Sequence, residues 1–355
     1  MKKQKTYFAQ RDYKNSNKIY EMLDLELPEF CREYCIGIEN NTTALTRLNY
    51  MYDIKLFLKY ITSETKFVGK AVKQITLSDI EGLSSYDIEK YLSYLSYYEN
   101  AEGKSISNGE KGKARKLSSI RALIKFFIRK EMMSKDPTAP VRLPKIHEKE
   151  IVRLEGEEIV SILESAETGI GLSAHQLSYH KNTSVRDVAI VALLLGTGIR
   201  ISELVGLDVK DIDFDNASFI ITRKGGNRVV LYFSQEIGGI LADYSQLRKN
   251  QKEINQDAFF LSLQNKRIST RSVENIVKKY SQIASPLKKI SPHKLRSTYG
   301  TELYRQTGDI YIVADVLGHK DVNTTKKHYA AISDDVRRKA SKQVVLRKPN
   351  SKKDD

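Results

Sequence analysis

Prolines divide this chain into two parts. Three of its seven prolines lie between Pro137 and Pro144, in the segment DPTAPVRLPKIHEKEIVRL. Proline lacks a backbone N–H and fixes φ, so this density interrupts helices and stiffens the connection. A chain of 355 residues is long enough for two domains that each bury a core. The sequence therefore predicts a linker at residues 136–150 between two separately folded domains.

The segment before the linker has the periodicity of helices. LNYMYDIKLFLKYI, SSYDIEKYLSYLSYY and LSSIRALIKFFIRKEM each repeat apolar residues at spacings of three and four. No convincing strand occurs there. We predict an N-terminal extension over residues 1–26 and a helical bundle over residues 27–135. The tyrosine-rich stretch from Tyr91 to Tyr98 is expected to serve helix packing rather than base stacking.

The segment after the linker mixes helices with one pair of strands. EGEEIVSILESA and VRDVAIVALLLGTGIRISELVGL have helical spacing, the second with a tight turn inside it. In SFIITRKGGNRVVLYF, β-branched and aromatic runs flank Gly225-Gly226, which is typical of a β-hairpin. We expect the polar stretch from Gly169 to Ser184 to be an inserted loop. The predicted fold is mainly α, with an α+β second domain over residues 151–340 and a flexible tail over 341–355.

The charge of the chain indicates a polyanionic partner. The net charge is +15, and it is not confined to one tail. Residues 1–150 carry 27 Lys and Arg against 20 Asp and Glu, and residues 151–355 carry 32 against 24. Two basic halves suit a nucleic acid that both domains grip.

Several classes of protein do not fit this composition. The N-terminus, MKKQKTYFAQRDYKN, lacks the apolar region of a signal peptide. The longest apolar run, Val188 to Leu195, is too short to span a bilayer. Cys31 and Cys35 lie four residues apart and form neither a disulfide framework nor a zinc site. The cytoplasm is the expected compartment.

Two arginines of the second domain are candidates for binding an anion. Arg200, in GTGIRISEL, can pair with Glu203 or present its guanidinium fork to a phosphate, and the two roles are compatible. His293 and Arg296, in SPHKLRSTYGTEL, share one helix face near its start. Donors at a helix N-terminus suit an anion. An HxxR pair is nevertheless common by chance.

Three further residues have both an ordinary and a functional interpretation. Lys224 lies beside the hairpin turn, where it is either solvated or presented to the edge of a DNA groove. His319, in VLGHKD, follows a glycine that ends a helix, so it can be a simple cap. Tyr329 ends the polar stretch LGHKDVNTTKKHY. It is either an exposed tyrosine on a basic helix or a phenol that meets an anion.

Taken together, these residues follow the order found in a known family. An Arg, a hairpin Lys, an HxxR pair, a Gly-His and a Tyr succeed one another, and GTGIRISELVGL, HKLRSTYGTEL and VLGHKDVNTT resemble the motifs of the tyrosine recombinase (phage integrase) family. The likeness is to its Xer branch and covers most of Val185–Ala331. The helical first half resembles the family's core-binding (SAM-like) domain in architecture alone. About 25 residues precede the first predicted helices, too few for the arm-binding domain of many integrases, which favours the single-protein XerS type.

The resemblance implies a role for each candidate. It assigns the nucleophile to Tyr329, the phosphate clamp to Arg200 and Arg296, the general acid to Lys224, assistance in proton transfer and phosphate binding to His293 and His319, and support of the first arginine to Glu203. The chain departs from the pattern in one place. Tyr329 lies ten positions after His319 instead of nine, and one extra residue within a helix would rotate the tyrosine by roughly 100°.

The resemblance also implies an activity and its partners. The enzyme would cut and rejoin DNA through a 3′-phosphotyrosyl bond, with no metal, cofactor or ATP, and the chain contains no GxxxxGK[ST] motif. A homotetramer would join two inverted-repeat sites. The expected role is resolution of chromosome dimers at a dif-like site, together with a septal DNA translocase of the FtsK type. Alternatives are an integrase of a phage or mobile element, a type IB topoisomerase, and a catalytically inactive architectural DNA-binding protein.

Contacts to DNA outside the active site are predicted in KGKARK, just before a helix of the first domain. A solvated loop is the competing interpretation of this stretch. Basic side chains there suit phosphate contacts, and the candidates are Lys111, Lys113, Arg115 and Lys116.

Overall fold

The computed structural model describes residues 6–100, 102–145, 152–223, 226–250, 257–319 and 322. The chain divides into two compact units, Met1–Lys149 and Glu150–Asp355. Lys224, Tyr329 and the predicted tail lie outside the described residues. None of the helices within the described ranges is both long and apolar enough to cross a membrane.

The first unit is built from helices. They are α1 (Tyr7–Leu25), α2 (Glu29–Gly37), α3 (Ala44–Glu64), α4 (Leu77–Glu81), α5 (Ser85–Tyr94) and α6 (Glu110–Arg129). A small antiparallel pair, β1 (Tyr98–Glu99) and β2 (Ser105–Ile106), lies between α5 and α6. The sequence did not predict this pair, because strands of two residues leave no periodic pattern.

The core of the first unit lies between α3 and α6. Met51, Ile54 and Phe57 of α3 are inaccessible to solvent. Tyr91 is also fully buried, and its ring lies 5.0 Å from that of Phe57 and 5.1 Å from that of Tyr60. The tyrosine-rich stretch therefore contributes to helix packing, as predicted.

Both ends of the first unit add to this core. Residues 1–26, predicted as an extension, contain α1, and its Ile19, Met22 and Leu23 are buried there. These apolar residues lie only near the C-terminal end of a long, mostly polar helix, so the helical periodicity of apolar residues was weak. The predicted linker also begins packed on this unit, since Val141 belongs to the same core.

The second unit is mainly helical with one small sheet. Its elements are α7 (Gly156–Thr168), α8 (Ala174–Thr197), α9 (Ile201–Gly206), β3 (Ile212–Asp213), β4 (Ser218–Thr222), β5 (Arg228–Tyr232), α10 (Gln235–Lys249), α11 (Thr270–Ala284), α12 (Pro292–Thr307) and α13 (Ile310–Leu317). The three strands are antiparallel in the order β3-β4-β5, with Ile220 opposite Val230. The predicted hairpin is confirmed, and so is the mainly α fold class.

Helix α8 is the centre of the second unit and packs against α7, α10 and α12. The prediction of an inserted loop from Gly169 to Ser184 is wrong, because α8 begins at Ala174. Ser173 caps it, accepting from the Gln176 amide at 3.3 Å. His180 is buried, with Nε2 2.9 Å from the Ala166 carbonyl. Polar caps and tertiary contacts, rather than apolar periodicity, stabilise this part of the helix.

Candidate active site

Arg200 lies at the junction of α8 and α9. Gly198 ends α8 in the left-handed conformation, with φ of 61°, and Arg200 is the N-cap of α9. Glu203, which is 3% exposed, accepts from Arg200 Nη1 at 2.8 Å through Oε1 and from the Arg200 amide at 2.8 Å through Oε2. One buried carboxylate therefore satisfies the start of α9 and orients the guanidinium. The predicted pairing is confirmed.

Arg296 comes from the second turn of α12, which begins with Pro292 at its first position. The Arg296 side chain is buried, and Nη1 donates to the Gly198 carbonyl at 2.6 Å. Nη2 donates to the Leu317 carbonyl. Arg296 thereby connects the end of α8 to the end of α13. His293, one turn earlier on the same helix, is exposed.

A third guanidinium reaches the end of α13. Arg223 follows β4, and its Nη1 donates to the Asp315 carbonyl at 3.1 Å while Nη2 donates to the Val316 carbonyl at 2.8 Å. Sequence reasoning missed this residue, although it directly precedes Lys224. A single arginine before a Gly-Gly turn gives no sign of a contact some ninety residues away.

The end of α13 thus accepts guanidinium bonds on four consecutive carbonyls. Asp315 and Val316 bind Arg223, Leu317 binds Arg296, and the Gly318 carbonyl accepts from Arg200 Nη2 at 3.0 Å. The last carbonyls of a helix lack partners within the helix and carry its partial negative charge. Three cationic forks from distant segments therefore converge on one helix terminus.

The charge balance of this cluster favours an anion. The carboxylates of Glu203 and Asp315 offset only part of the positive charge of the three arginines. Burial lowers the pKa of Arg223 and the charge of Arg200 lowers it further, whereas the Glu203 and Asp315 carboxylates raise it. The Arg200 side chain is 36% exposed, so an anion in solvent can reach it. Guanidinium forks match phosphate oxygens in pairs.

His319 directly follows this helix terminus. Gly318 has a φ of 60°, and the His319 amide donates to the Ala314 carbonyl at 2.9 Å, which closes the last turn. The imidazole is partly exposed. The capping interpretation of this histidine is therefore correct for its backbone. His319 also directly follows Gly318, whose carbonyl accepts from Arg200.

The prediction that KGKARK lies just before a helix is wrong, because α6 begins at Glu110 and contains the whole stretch. Lys111 is exposed on its first turn, and Lys113 Nζ donates to Ser96 Oγ at 2.5 Å. Arg115 donates to both carboxylate oxygens of Asp53, through Nη1 to Oδ2 and through Nη2 to Oδ1, the latter at 2.8 Å. Lys116 is only 12% exposed at its side chain, and burial lowers its pKa, which Asp53 partly offsets.

Sequence reasoning missed Asp53, which contacts Arg115 and Lys116. It is buried, and it accepts from Ser119 Oγ at 2.7 Å as well as from Arg115. No local pattern marks it, because its partners lie more than sixty residues away on α6. The structure brings these basic residues together, and their contact with DNA remains a prediction.

Comparison with known sequences gives consistent relatives. Residues 152–335 match the Phage integrase family. The tyrosine recombinase XerC of Caldanaerobacter subterraneus subsp. tengcongensis is 32% identical over 284 residues, covering 78% of this chain and 75% of that protein. The tyrosine recombinase XerS of Streptococcus agalactiae is 31% identical over 346 residues, covering 90% of this chain and 96% of that protein.

Solved structures share the fold. The XerH site-specific recombinase bound to palindromic difH substrate matches with a TM-score of 0.66 at 17% identity, covering 94% of this chain and 89% of that chain. The Tn1549 transposon integrase in complex with transposon right end DNA matches with a TM-score of 0.61 at 20% identity, covering 89% and 99%.

Proposed function

This chain belongs to the phage integrase family of tyrosine recombinases, and we propose that it resolves chromosome dimers by cutting and rejoining DNA at a dif-like site. One observation supports the chemistry above all others. Arg200 and Arg296, from segments about a hundred residues apart, donate to adjacent carbonyls directly before His319. Glu203 holds the first fork, as a phosphate clamp requires.

The clamp stabilises the negative charge that develops on the phosphate oxygens. Attack by the Tyr329 oxygen forms the bond to phosphorus, and the bond from phosphorus to the 5′ oxygen breaks. Negative charge grows on the two nonbridging oxygens in the transition state, where preorganised guanidiniums stabilise it most. Removing one such donor typically costs about 100-fold to 1,000-fold in rate. Arg200 and Arg296 have this role in our proposal.

Proton transfer is assigned to other residues of the site. A phenol with an ordinary pKa of about 10 must lose its proton before or during attack, and the departing 5′ oxygen must gain one. We assign the first transfer to the imidazoles of His293 and His319, which accept the proton of the phenol, and the second to Lys224 as general acid. The resulting 3′-phosphotyrosyl ester stores the bond energy. A 5′ hydroxyl of another strand then reverses the step without ATP.

The guanidinium of Arg200 can bind a phosphate without leaving its protein partners. Within the described part of the chain, it uses Nη1 on Glu203 and Nη2 on Gly318. A guanidinium has five N–H donors in a fixed fork, so the same group can donate to a phosphate oxygen. The carbonyl contacts therefore orient the clamp rather than block it.

The cellular role rests on the relatives. The likeness to XerS covers nearly the whole of both chains, so we propose a homotetramer that joins two inverted-repeat sites in the cytoplasm. A septal DNA translocase of the FtsK type would activate it. The fold shared with the Tn1549 integrase supports one alternative, an integrase of a mobile element. Lys111, Lys113, Arg115 and Lys116 are proposed to contact DNA backbone.

Two experiments test this proposal. Selection of genomic fragments by the purified protein, followed by sequencing, should recover one chromosomal site with inverted repeats. Recovery of the ends of a mobile element would indicate an integrase instead. A nicked suicide duplex carrying the recovered site should then give a covalent band on a denaturing gel, absent with Tyr329→Phe. Tight binding without that band would indicate an architectural DNA-binding protein.

A further inference from the structure

We propose that Arg223 is a positioning residue of this active site. It holds the end of β4, directly before Lys224, against the last turn of α13, directly before His319. The inference rests on the proposed function, because Arg223 would act through Lys224 as the general acid. It adds a residue for which neither the motifs nor the resemblance supplies a role.

The contacts of Arg223 connect two segments that are distant in sequence. Its two terminal nitrogens donate to the carbonyls of Asp315 and Val316, at 3.1 and 2.8 Å. Its own backbone starts the hairpin turn, since its amide donates to the Asn227 carbonyl at 2.8 Å and its carbonyl accepts from the Gly226 amide at 3.0 Å. Arg223 therefore joins the turn of the hairpin to the end of α13.

The guanidinium is partly buried and packs closely against the end of α13. A Cβ at Gly318 would lie 2.2 Å from Arg223 Nη1, so the glycine allows the guanidinium to lie against the helix terminus. Nε of Arg223 is buried and has no partner among the described residues. A charged group that is partly removed from water needs compensating bonds, and the two carbonyls at the helix end provide them.

Lys224 directly follows Arg223 in sequence. Consecutive Cα atoms are about 3.8 Å apart, so the contacts of Arg223 act on the backbone to which the proposed general acid is joined. The same contact ties the hairpin to the segment that carries His319. A general acid must lie within hydrogen-bond reach of its acceptor, and a displacement of about 1 Å can reduce the rate about 100-fold.

The test compares two leaving groups in the same suicide duplex. One duplex has the normal 5′ oxygen, and the other has sulfur at that bridging position. A thiol has a pKa near 8.5, so a thiolate departs without a general acid. Arg223→Ala should slow cleavage of the oxygen substrate by about 100-fold and leave cleavage of the sulfur substrate near the wild-type rate. Lys224→Ala should show the same pattern with a larger loss.

Two variants serve as controls. Arg228→Ala removes a positive charge from the same hairpin, where the side chain is 62% exposed and pairs with Asp211 at 3.2 Å. It should cleave both substrates at wild-type rates. Arg223→Lys keeps the charge but can reach only one carbonyl at a time, so its rate on the oxygen substrate should be intermediate. The thermal unfolding midpoint of each variant separates loss of folding from loss of position.

The outcomes are distinguishable. An equal fall in the cleavage rate of both substrates would overturn the inference. It would mean that Arg223 contacts the phosphate or serves only the stability of the fold. Unchanged cleavage by Arg223→Ala would overturn it as well. If the wild-type protein formed no covalent product with either substrate, the proposed function would fail together with the inference. If Arg223→Ala cleaves the oxygen duplex slowly and the sulfur duplex at the wild-type rate, the result supports both the inference and the proposed function.

Discussion

Arg296 Nη1 donates to the backbone carbonyl of Gly198 at 2.6 Å, across 98 residues of sequence. This bond places the guanidinium of α12 beside the segment that carries Arg200. The Arg296 guanidinium is therefore positioned by the main-chain carbonyl of Gly198, two residues before Arg200.

Arg296→Lys should abolish most cleavage while DNA binding persists. Lysine keeps the charge, but a single ammonium group does not bridge two carbonyls and a phosphate in the planar manner of arginine. We expect the rate of covalent complex formation to fall by about 100-fold to 1,000-fold. A suicide-duplex time course measures the rate, and Arg305→Lys on the same helix is the matched control. Wild-type cleavage by Arg296→Lys would contradict the clamp.

Glu203→Gln should weaken both the fold and the catalysis. The amide can still accept from Arg200, but the charge that strengthens the hydrogen bonds to Arg200 is lost. The free energy of unfolding should fall by about 1–3 kcal/mol, as measured by denaturant titration. The cleavage rate should fall more than the affinity for DNA. Glu302→Gln, at an exposed site on α12, should change neither quantity.

Gly318→Ala should disrupt the site by two routes. The residue has a φ of 60°, which costs an alanine about 1–2 kcal/mol, and its Cβ would collide with Arg223. Gly103→Ala is the control for the first route alone, since Gly103 has a φ of 71° with nothing within 4 Å of an added Cβ. Both variants should lose stability, but only Gly318→Ala should lose cleavage. A fully active Gly318→Ala would contradict the close packing at this helix end.

Lys111→Ala should weaken DNA binding more than Lys116→Ala. Lys111 is exposed at the start of α6, whereas Lys116 is largely buried beside Asp53. Loss of one phosphate contact lowers the slope of log affinity against log salt by about 1. Fluorescence anisotropy over a range of salt concentrations measures that slope. A larger change for Lys116→Ala would reverse the assignment of these two lysines.

Local patterns in the sequence predicted the parts of the fold that depend on neighbouring residues. The hairpin around Gly225-Gly226, the turn before Arg200 and the pairing with Glu203 all follow from residues close in sequence. The N-terminal part of α8 could not be predicted in this way, because buried polar contacts such as that of His180 stabilise it. Arg223 was missed for a similar reason. Its partners on α13 become neighbours only when the chain folds.

The central claim is that one tyrosine becomes esterified to DNA at a site formed by two arginine forks. Mass spectrometry of peptides from the trapped covalent complex tests it most directly. We expect the 3′ phosphate of the cut strand to be attached to Tyr329, with no adduct in Tyr329→Phe and far less in Arg200→Ala. An adduct on another side chain, or an undiminished adduct in Arg200→Ala, would contradict it.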